Sequence, residues 1–293
     1  MSWNPDRIVG LLEESEQIAR AARRALRRDL KDDRSLVTQA DREIESLLAG
    51  ELERPAEGAY FIGEETLATK DEAYIRAALA GEDTYVVDPI DGTVPYALGL
   101  PLWGVSIGHM VRGVLRDGAV YLVDFGELVM NRGDEVVEGR RDEQGVWEWR
   151  ELPDLTPSRE RHRPLALTQA VAKRGRVDLP HPVMVLGAAV VPTVGLLQGR
   201  FAAYLGSTKL WDVAAVLPLL LRKGAAASVL LGDEPRKVTA RVDDSTYHLA
   251  PSSKKRWALR DDLIICHPDD ELRFRSGFTR GDRLHAAFGH ESP

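Results

Sequence analysis

Cysteine is almost missing from this sequence. A single thiol, Cys266, among 293 residues excludes an intrachain disulfide and a cysteine metal cluster. Its place in an apolar run predicts a buried, inert side chain. Histidine is sparse too, and none of the seven neighbours Glu64, Asp88, Asp91 or Asp212 in sequence, which weighs against zinc. No apolar run approaches the roughly 20 residues that span a bilayer; the longest, such as 213–221, are far shorter. The first twelve residues lack a basic start leading into a long apolar segment. No signal peptide and no membrane association are therefore expected, and a soluble, cytoplasmic protein follows. Basic side chains are outnumbered, 39 against 46 acids for a net charge of −7, which argues against general nucleic-acid binding but not against a local basic patch. There is no internal repeat and no low-complexity stretch. What remains is 44% hydrophobic, enough to bury a core as one large domain or as two halves packed together.

The stretch with most chemical content is Val86, Val87, Asp88, Pro89, Ile90, Asp91, Gly92 and Thr93. The β-branched and aromatic run 84–87 reads as the end of a strand. Pro89 has no N–H and a fixed φ, so the backbone is expected to leave the sheet between two carboxylates three residues apart. Gly92 and Thr93 can open a helix, whose free N–H groups attract an anion such as phosphate. Acids for a cation beside amides for an anion suggest a metal-bridged phosphate site. Taken alone, the same residues also describe an ordinary surface turn.

Two further stretches bear on that choice. Phe61, Ile62, Gly63, Glu64, Glu65 and Thr66 form an apolar strand ending in glycine and two acids; Lys209, Leu210, Trp211, Asp212, Val213, Ala214 and Ala215 set one acid just before an apolar helix. With these in place the sequence resembles the inositol monophosphatase family of metal-dependent, lithium-sensitive phosphomonoesterases, whose signatures are Gly-Glu-Glu, Asp-Pro-Ile-Asp-Gly-Thr and Trp-Asp-x-Ala-Ala. All three occur in the family's order, and the likeness runs from about residue 31 to about residue 268, weaker in the middle and at both ends.

Along the chain, Ile8, Leu11, Leu12, Ile18, Ala22 and Leu26 recur at helical spacing, predicting one amphipathic helix over 5–29. Its other face carries Arg20, Arg23, Arg24, Arg27 and Arg28, which reads as a solvated face pairing with nearby acids. Residues 31–41 resemble the family's approach to a second helix. Asp41 can start that helix, with Ile44, Leu47, Leu48 and Leu52 as its inner face; an acid on the helix dipole accounts for Asp41 as well as function does. A strand over 60–62, a helix over 74–79 and the strand into Asp88 follow, then an apolar loop over 94–101. Strands over 102–110, 118–123 and 127–130 make an antiparallel meander. The charged segment 133–163 reads as a hairpin followed by a linker, 153–164. Beyond it, strands are expected over 165–173, 183–186, 201–205, 226–231 and 263–266, with helices over 188–197 and 213–223. The fold class is α/β: an α+β N-terminal half (1–152) with the metal-binding motifs and an α/β C-terminal half (165–293) completing the site. The resemblance implies a layered α-β-α-β-α sandwich.

Glu64, Asp88, Asp91 and Asp212 fall at strand ends or helix starts, where separate elements converge on a cavity. Unneutralised, such a cluster repels itself and takes up protons; all-oxygen ligation favours Mg²⁺. The resemblance implies two or three Mg²⁺ per site, one held by Glu64, Asp88 and the carbonyl of Ile90 and another by Asp88, Asp91 and Asp212, with Glu65 near a further, weaker one. It implies that Thr93 and Glu64 orient a water for in-line attack on phosphorus, with Asp41 behind Thr93, and that Gly92 and Thr93 amides hold the phosphoryl oxygens. Substrate would also meet Asp91, Asp212, Gly187 and Ala188. Trp211 is read as packing beneath the site, Lys209 as pairing with a phosphate or an acid, and Ser207 as no nucleophile, for want of a Gly-x-Ser-x-Gly elbow.

The sequence departs from the family pattern at three places. Pro95 and Tyr96 stand where Asn and an aromatic are usual, Leu205 where inositol-specific members place an acid, and Gly187-Ala188 where a hydroxyl-bearing pair faces the sugar ring. Loss of polar partners lowers discrimination for a polyol. A phosphatase of a small phosphomonoester, inositol-1-phosphate-like or another sugar or polyol phosphate, is the expectation. Fructose 1,6-bisphosphate, histidinol phosphate and a nucleotide 3′,5′-bisphosphate are alternative substrates, and a non-catalytic phosphate-binding module is the alternative of another class. Relatives are commonly homodimers, so a homodimer is expected.

Overall fold

The structure is a computed structural model and describes residues 3–24, 28–30, 36–159, 161–229 and 235–280. Leu26, Arg27, the stretch 31–35 and Leu231, which entered the sequence reading, lie outside the described residues. Helix α1 (Pro5–Arg24) buries Ile8, Leu11, Leu12, Ser15 and Ala19. It stops short of the expected residue 29 because Arg28–Leu30 forms strand β1, antiparallel to β2 (Leu36–Thr38); inter-strand pairing takes the backbone groups that a longer helix would use. On its arginine face, Arg20 pairs with Glu16 and Arg23 with Asp124.

Helix α2 (Gln39–Leu52) turns Ile44, Leu48 and Leu52 inward, with Leu47 half-buried. Strand β3 (Ala59–Gly63), helix α3 (Glu72–Ala80), strand β4 (Asp83–Asp91) and the short helix α4 (Thr93–Ala97) follow. Four of the residues expected to form the apolar loop are thus helical. Strands β5 (Gly104–Val111), β6 (Val114–Leu122), β7 (Glu127–Arg132), β8 (Glu135–Arg141) and β9 (Trp147–Glu151) complete a seven-stranded sheet in sequential order from β3 to β9. Only β3 and β4 run parallel. The expected hairpin, β8 and β9, extends this meander rather than standing apart.

A second sheet follows. Strand β10 (Leu165–Leu167) is shorter than expected, and residues 169–173 belong instead to helix α5 (Gln169–Arg174). Thr168 explains the change: its extended backbone precedes the helix, and its N–H still bonds Leu205 O of the neighbouring strand at 3.0 Å. Then come β11 (Gly175–Val177), β12 (Val183–Met184), α6 (Val190–Leu197), β13 (Ala203–Gly206), α7 (Leu210–Ala214), α8 (Val216–Arg222), β14 (Ala226–Val229), β15 (Arg236–Lys237), β16 (Leu263–Cys266), α9 (Pro268–Ser276) and β17 (Phe278–Arg280). The sheet order is β12-β10-β13-β16-β14-β15, and β11 pairs with β17 separately. The single helix expected over 213–223 is two: Pro218 has no N–H for the carbonyl of Ala214, so the helix breaks there.

Side-chain alternation along the strands sorts the core into layers. Phe61, Tyr85, Val87 and Ile107 face α1 and α2, while Ile62, Val86, Val120 and Leu122 face the other way, onto α6, α7 and α8. Ala166, Tyr204 and Ile265 of the second sheet meet those same helices from beyond. Its outer face, with Leu165, Leu205, Ile264 and Cys266, is covered by Val171 of α5 and Phe274 of α9. The order is α-β-α-β-α, as the resemblance implied. Cys266 is buried, its thiol pushed well up by that burial. At the junction of α7 and α8 the helical backbone lies directly on the first sheet. A Cβ on Gly108 would stand 2.7 Å from the carbonyl carbon of Ala214, so only glycine permits this approach. The contact fixes the helix that carries Asp212.

Candidate metal centre

Asp88 and Asp91 owe their common direction to a bulge. Strand β4 does not leave the sheet at Pro89 as expected; it continues to Asp91. Asp88 pairs with Ser106 and Asp91 with Gly104, so Pro89 and Ile90 together oppose one residue of β5. A bulge is where a strand tolerates proline, and it re-aims the side chains beside it. Beyond it, Gly92 adopts φ 94°. A Cβ there would stand 2.6 Å from Leu102 O and 2.9 Å from the Ala188 side chain, which ties the glycine both to its left-handed conformation and to the closeness of 187–189. Asp91 uses that closeness: Oδ1 accepts the Ala189 N–H at 2.7 Å and Oδ2 the Val190 N–H at 3.2 Å. One carboxylate thus joins the end of β4 to the start of α6.

Glu64, Asp88, Ile90, Asp91, Gly92, Thr93, Gly187, Ala188 and Asp212, nine of the ten site residues expected from sequence, line one cleft of about 670 Å³. Oxygens of Asp88, Asp91 and Asp212 lie within 4.8 Å of one another. Asp212 sits in the first turn of α7, where its Oδ2 accepts the Lys209 N–H at 2.8 Å. Burial, with the charges of Glu64, Asp91, Asp212 and Asp41, holds Asp88 well above the usual carboxylate range. Burial and the Asp212 charge do the same to Asp91 against the two amides it accepts. Asp212 is pushed up to about 7 by burial and the Glu64 charge, with Lys209 opposing. Asp88 Oδ1 is buried with no hydrogen-bond partner. A buried carboxylate oxygen without a donor, among converging acids, fits a hard divalent cation. The donor set therefore suits a metal.

Asp41, the tenth, stands behind the cleft. Its Oδ2 accepts both the N–H (2.8 Å) and the hydroxyl (2.5 Å) of Thr38, closing the start of α2. Its Oδ1 lies 3.4 Å from the Thr93 hydroxyl, which also donates to Ile90 O at 3.1 Å. Asp41 is therefore both a helix-start residue and a partner of Thr93.

Several contacts at the site escaped sequence reading. Glu45 is fully buried, and its carboxylate accepts the N–H groups of Glu65 (2.8 Å) and Thr66 (2.6 Å), holding the turn that carries Glu64. Burial raises its carboxyl. The available signal was an acid inside the apolar stripe Ile44–Leu48–Leu52. Tyr96 is fully buried and donates to Ala19 O at 2.7 Å, while Arg23 donates to Leu100 O at 2.9 Å and pairs with Asp124. So α1 anchors α4, and Pro95, third in that helix, occupies a place where no N–H is needed. The altered turn is accommodated. Tyr204, from β13, lines the cleft with a buried, unpartnered hydroxyl.

The remaining expectations sort plainly. Lys209 Nζ lies 3.7 Å from Glu64 Oε1 and 5.1 Å over the Trp211 ring; it faces an acid. Trp211 is buried in the core. Ser207 Oγ hydrogen-bonds Asp262 and no histidine. Leu205 points away from the cleft, into the outer core of the second sheet.

Comparison with known proteins places the chain in a family. The chain is 28% identical to protein qutG of Emericella nidulans over 217 residues, 64% of this chain and 65% of that one. It is 28% identical to human inositol monophosphatase 2 over 198 residues, 64% and 66% of the two chains. It thus spans just under two thirds of the length of these curated relatives. A Thermotoga maritima IMPase shares the fold, with a TM-score of 0.66 at 15% identity over 97% of this chain and 98% of that one. Among the described residues no helix is long and apolar enough to cross a membrane. A profile described as the inositol monophosphatase family matches residues 10–255, and the chain belongs to that family of phosphomonoesterases.

Proposed function

We propose that this protein is a Mg²⁺-dependent phosphatase of a small phosphomonoester of the sugar or polyol phosphate kind. The observation that carries the reading is the convergence of four acids on one cleft with Asp88 Oδ1 buried and unpartnered. Glu64, Asp88 and the Ile90 carbonyl would hold one ion, and Asp88, Asp91 and Asp212 a second; a third, weaker one would lie towards Glu65. When bound, such ions lower the pKa of a water and neutralise charge on the phosphoryl group and the leaving oxygen. The chain's own residues do the rest. Glu64 and the Thr93 hydroxyl position the attacking water. With Asp41 Oδ1 and Ile90 O on its donor side, Thr93 keeps a lone pair turned towards the water's proton. The Gly92 and Thr93 amides meet the phosphoryl oxygens, and Gly187 and Ala188 face the alcohol. The arrangement divides as 1–152 and 165–293, joined by the linker 153–164, and the resemblance supports a cytoplasmic, lithium-sensitive homodimer.

Phosphate release from an aryl phosphate and a panel of sugar and polyol phosphates tests the reading. Release should require Mg²⁺, stop on chelation, and be lost in Asp212→Asn. Tight binding of the same esters with no turnover under any divalent ion would instead establish a phosphate-binding module. Glu45→Ala is expected to lower metal affinity by about 10- to 100-fold, the usual effect of losing a residue that orients a ligand, because the turn bearing Glu64 loses its anchor. Calorimetric titration with Mg²⁺ reads this directly, and an unchanged affinity would show that the turn holds itself.

A further inference from the structure

We propose that Arg256 is a positioning residue of the metal centre: its ion pair with Glu72 ties the ribbon 246–260 to α3, and the ribbon holds the start of α7 so that Asp212 stays with Asp88 and Asp91. The inference rests on the phosphatase reading and deepens it. Of the four acids, Asp212 alone comes from beyond residue 91, and α7, which carries it, is only five residues long. So short a helix has little stability of its own, and the neighbouring carboxylates repel the acid it presents. Its start is instead gripped at three successive residues. Thr208 O accepts the Leu259 N–H at 2.9 Å, Lys209 is bridged to Ala258, and the Leu210 N–H donates to Trp257 O at 2.9 Å. The ribbon also closes on itself, with the Arg260 N–H on Thr246 O at 2.9 Å and the Trp257 N–H on His248 O at 2.8 Å. Trp257 is buried with φ 72°, in the left-handed region that a bulky side chain rarely enters. A conformation of that kind persists only where its surroundings over-determine it, and it gathers at functional sites. Arg256 fastens the ribbon on its other side. Its Nε donates to Leu249 O at 3.1 Å, and both terminal nitrogens meet the Glu72 carboxylate, Nη2 to Oε2 at 2.8 Å. A two-pronged pair fixes direction as well as distance. Glu72 opens α3, the α-helix next in sequence after the turn that carries Glu64, so each end of the pair leads to an acid of the cleft.

Calorimetric titration of the full chain with Mg²⁺ tests this. Glu72→Ala should weaken Mg²⁺ binding by about tenfold, the low end for losing a residue that supports a ligand. Its urea midpoint in chelator should barely move, because a part-exposed ion pair adds little to global stability. In chelator the Leu210 amide should exchange faster with solvent in this variant, while the Val194 amide of α6 keeps its native rate. Arg256→Ala should weaken binding at least as much, and the double variant no more than Arg256→Ala alone, since the two side chains act as one. Unchanged Mg²⁺ affinity or unchanged Leu210 exchange in Glu72→Ala overturns the proposal and leaves the phosphatase reading standing. So do losses that multiply in the double variant, and so does a drop in the urea midpoint with Leu210 and Val194 exchanging faster together, which marks general loosening. A native chain that takes up no divalent ion overturns the metal centre and this inference with it.

Discussion

Asp88→Asn is expected to lower phosphate release by about 10³-fold, the upper range for removing one preorganised electrostatic contact. At about pH 8 it should also stabilise the metal-free protein by about 1–3 kcal/mol, the cost of burying an unmatched polar group. Both effects come from one atom's surroundings. Asp88 is 2% exposed, and its Oδ1 has no donor, so in the absence of a cation its charge is a burden on the fold. Asparagine has nearly the same volume and no charge, so it removes the burden along with the ligand. An acid that served only the turn would behave oppositely, with asparagine costing stability and sparing turnover. Turnover with Mg²⁺ and a urea midpoint without it separate the two. A variant that keeps activity, or that is weaker than the native chain when metal-free, refutes the role assigned to Asp88.

Much of the site was legible because its acids sit at short, punctuated stretches. Gly63-Glu64, Asp88 through Thr93 and Trp211-Asp212 are each a strand end or helix start, and local rules read such places well. Single elements were legible for a related reason, helical spacing in α1 and α2 and β-branched runs in β4 and β16, whereas their layering came from the family resemblance. Local rules failed where a distant partner decided. Pro89 reads as a strand terminator, yet β5 absorbs the missing N–H in a bulge. Residues 28–30 continue a helical pattern, yet residues 36–38 capture them as a strand. Glu45 has an acid's identity and a core residue's position, and nothing nearby in sequence reveals that the amides of residues 65 and 66 are its reason. Tyr96 finds its acceptor 77 residues away. The break before Pro218, in contrast, was missed although its signal is local, since proline's missing donor identifies the carbonyl that goes unbonded.

Those buried acids also give the metal-free protein an inverted pH dependence. Asp212 has an ordinary value of 3.8 and is pushed up to about 7 in the fold, and Asp88 and Asp91 move the same way. Between those limits the folded state keeps protons that the unfolded chain has released. Stability changes with pH as the protons bound by the unfolded state minus those bound by the folded one. That difference is negative here, so stability falls as pH rises towards about 7, by roughly 4 kcal/mol for the Asp212 shift alone. Asp117, despite its burial, is held low by His109, and Glu127 by Arg200. These two act in the opposite sense, but their contribution is complete by about pH 5, which leaves the interval between about 5 and 7 to the acids that burial raises, the cluster and Glu45 behind it. A divalent cation competes with the same protons, so Mg²⁺ should bind more tightly as pH rises through that interval, release protons as it does, and flatten the stability profile. Urea midpoints across the interval, with Mg²⁺ and with chelator, measure the effect, and the slope should diminish in Asp212→Asn. If the chelated protein instead gains stability through the interval, or if Mg²⁺ leaves the profile unchanged, the buried acids are not a cation site.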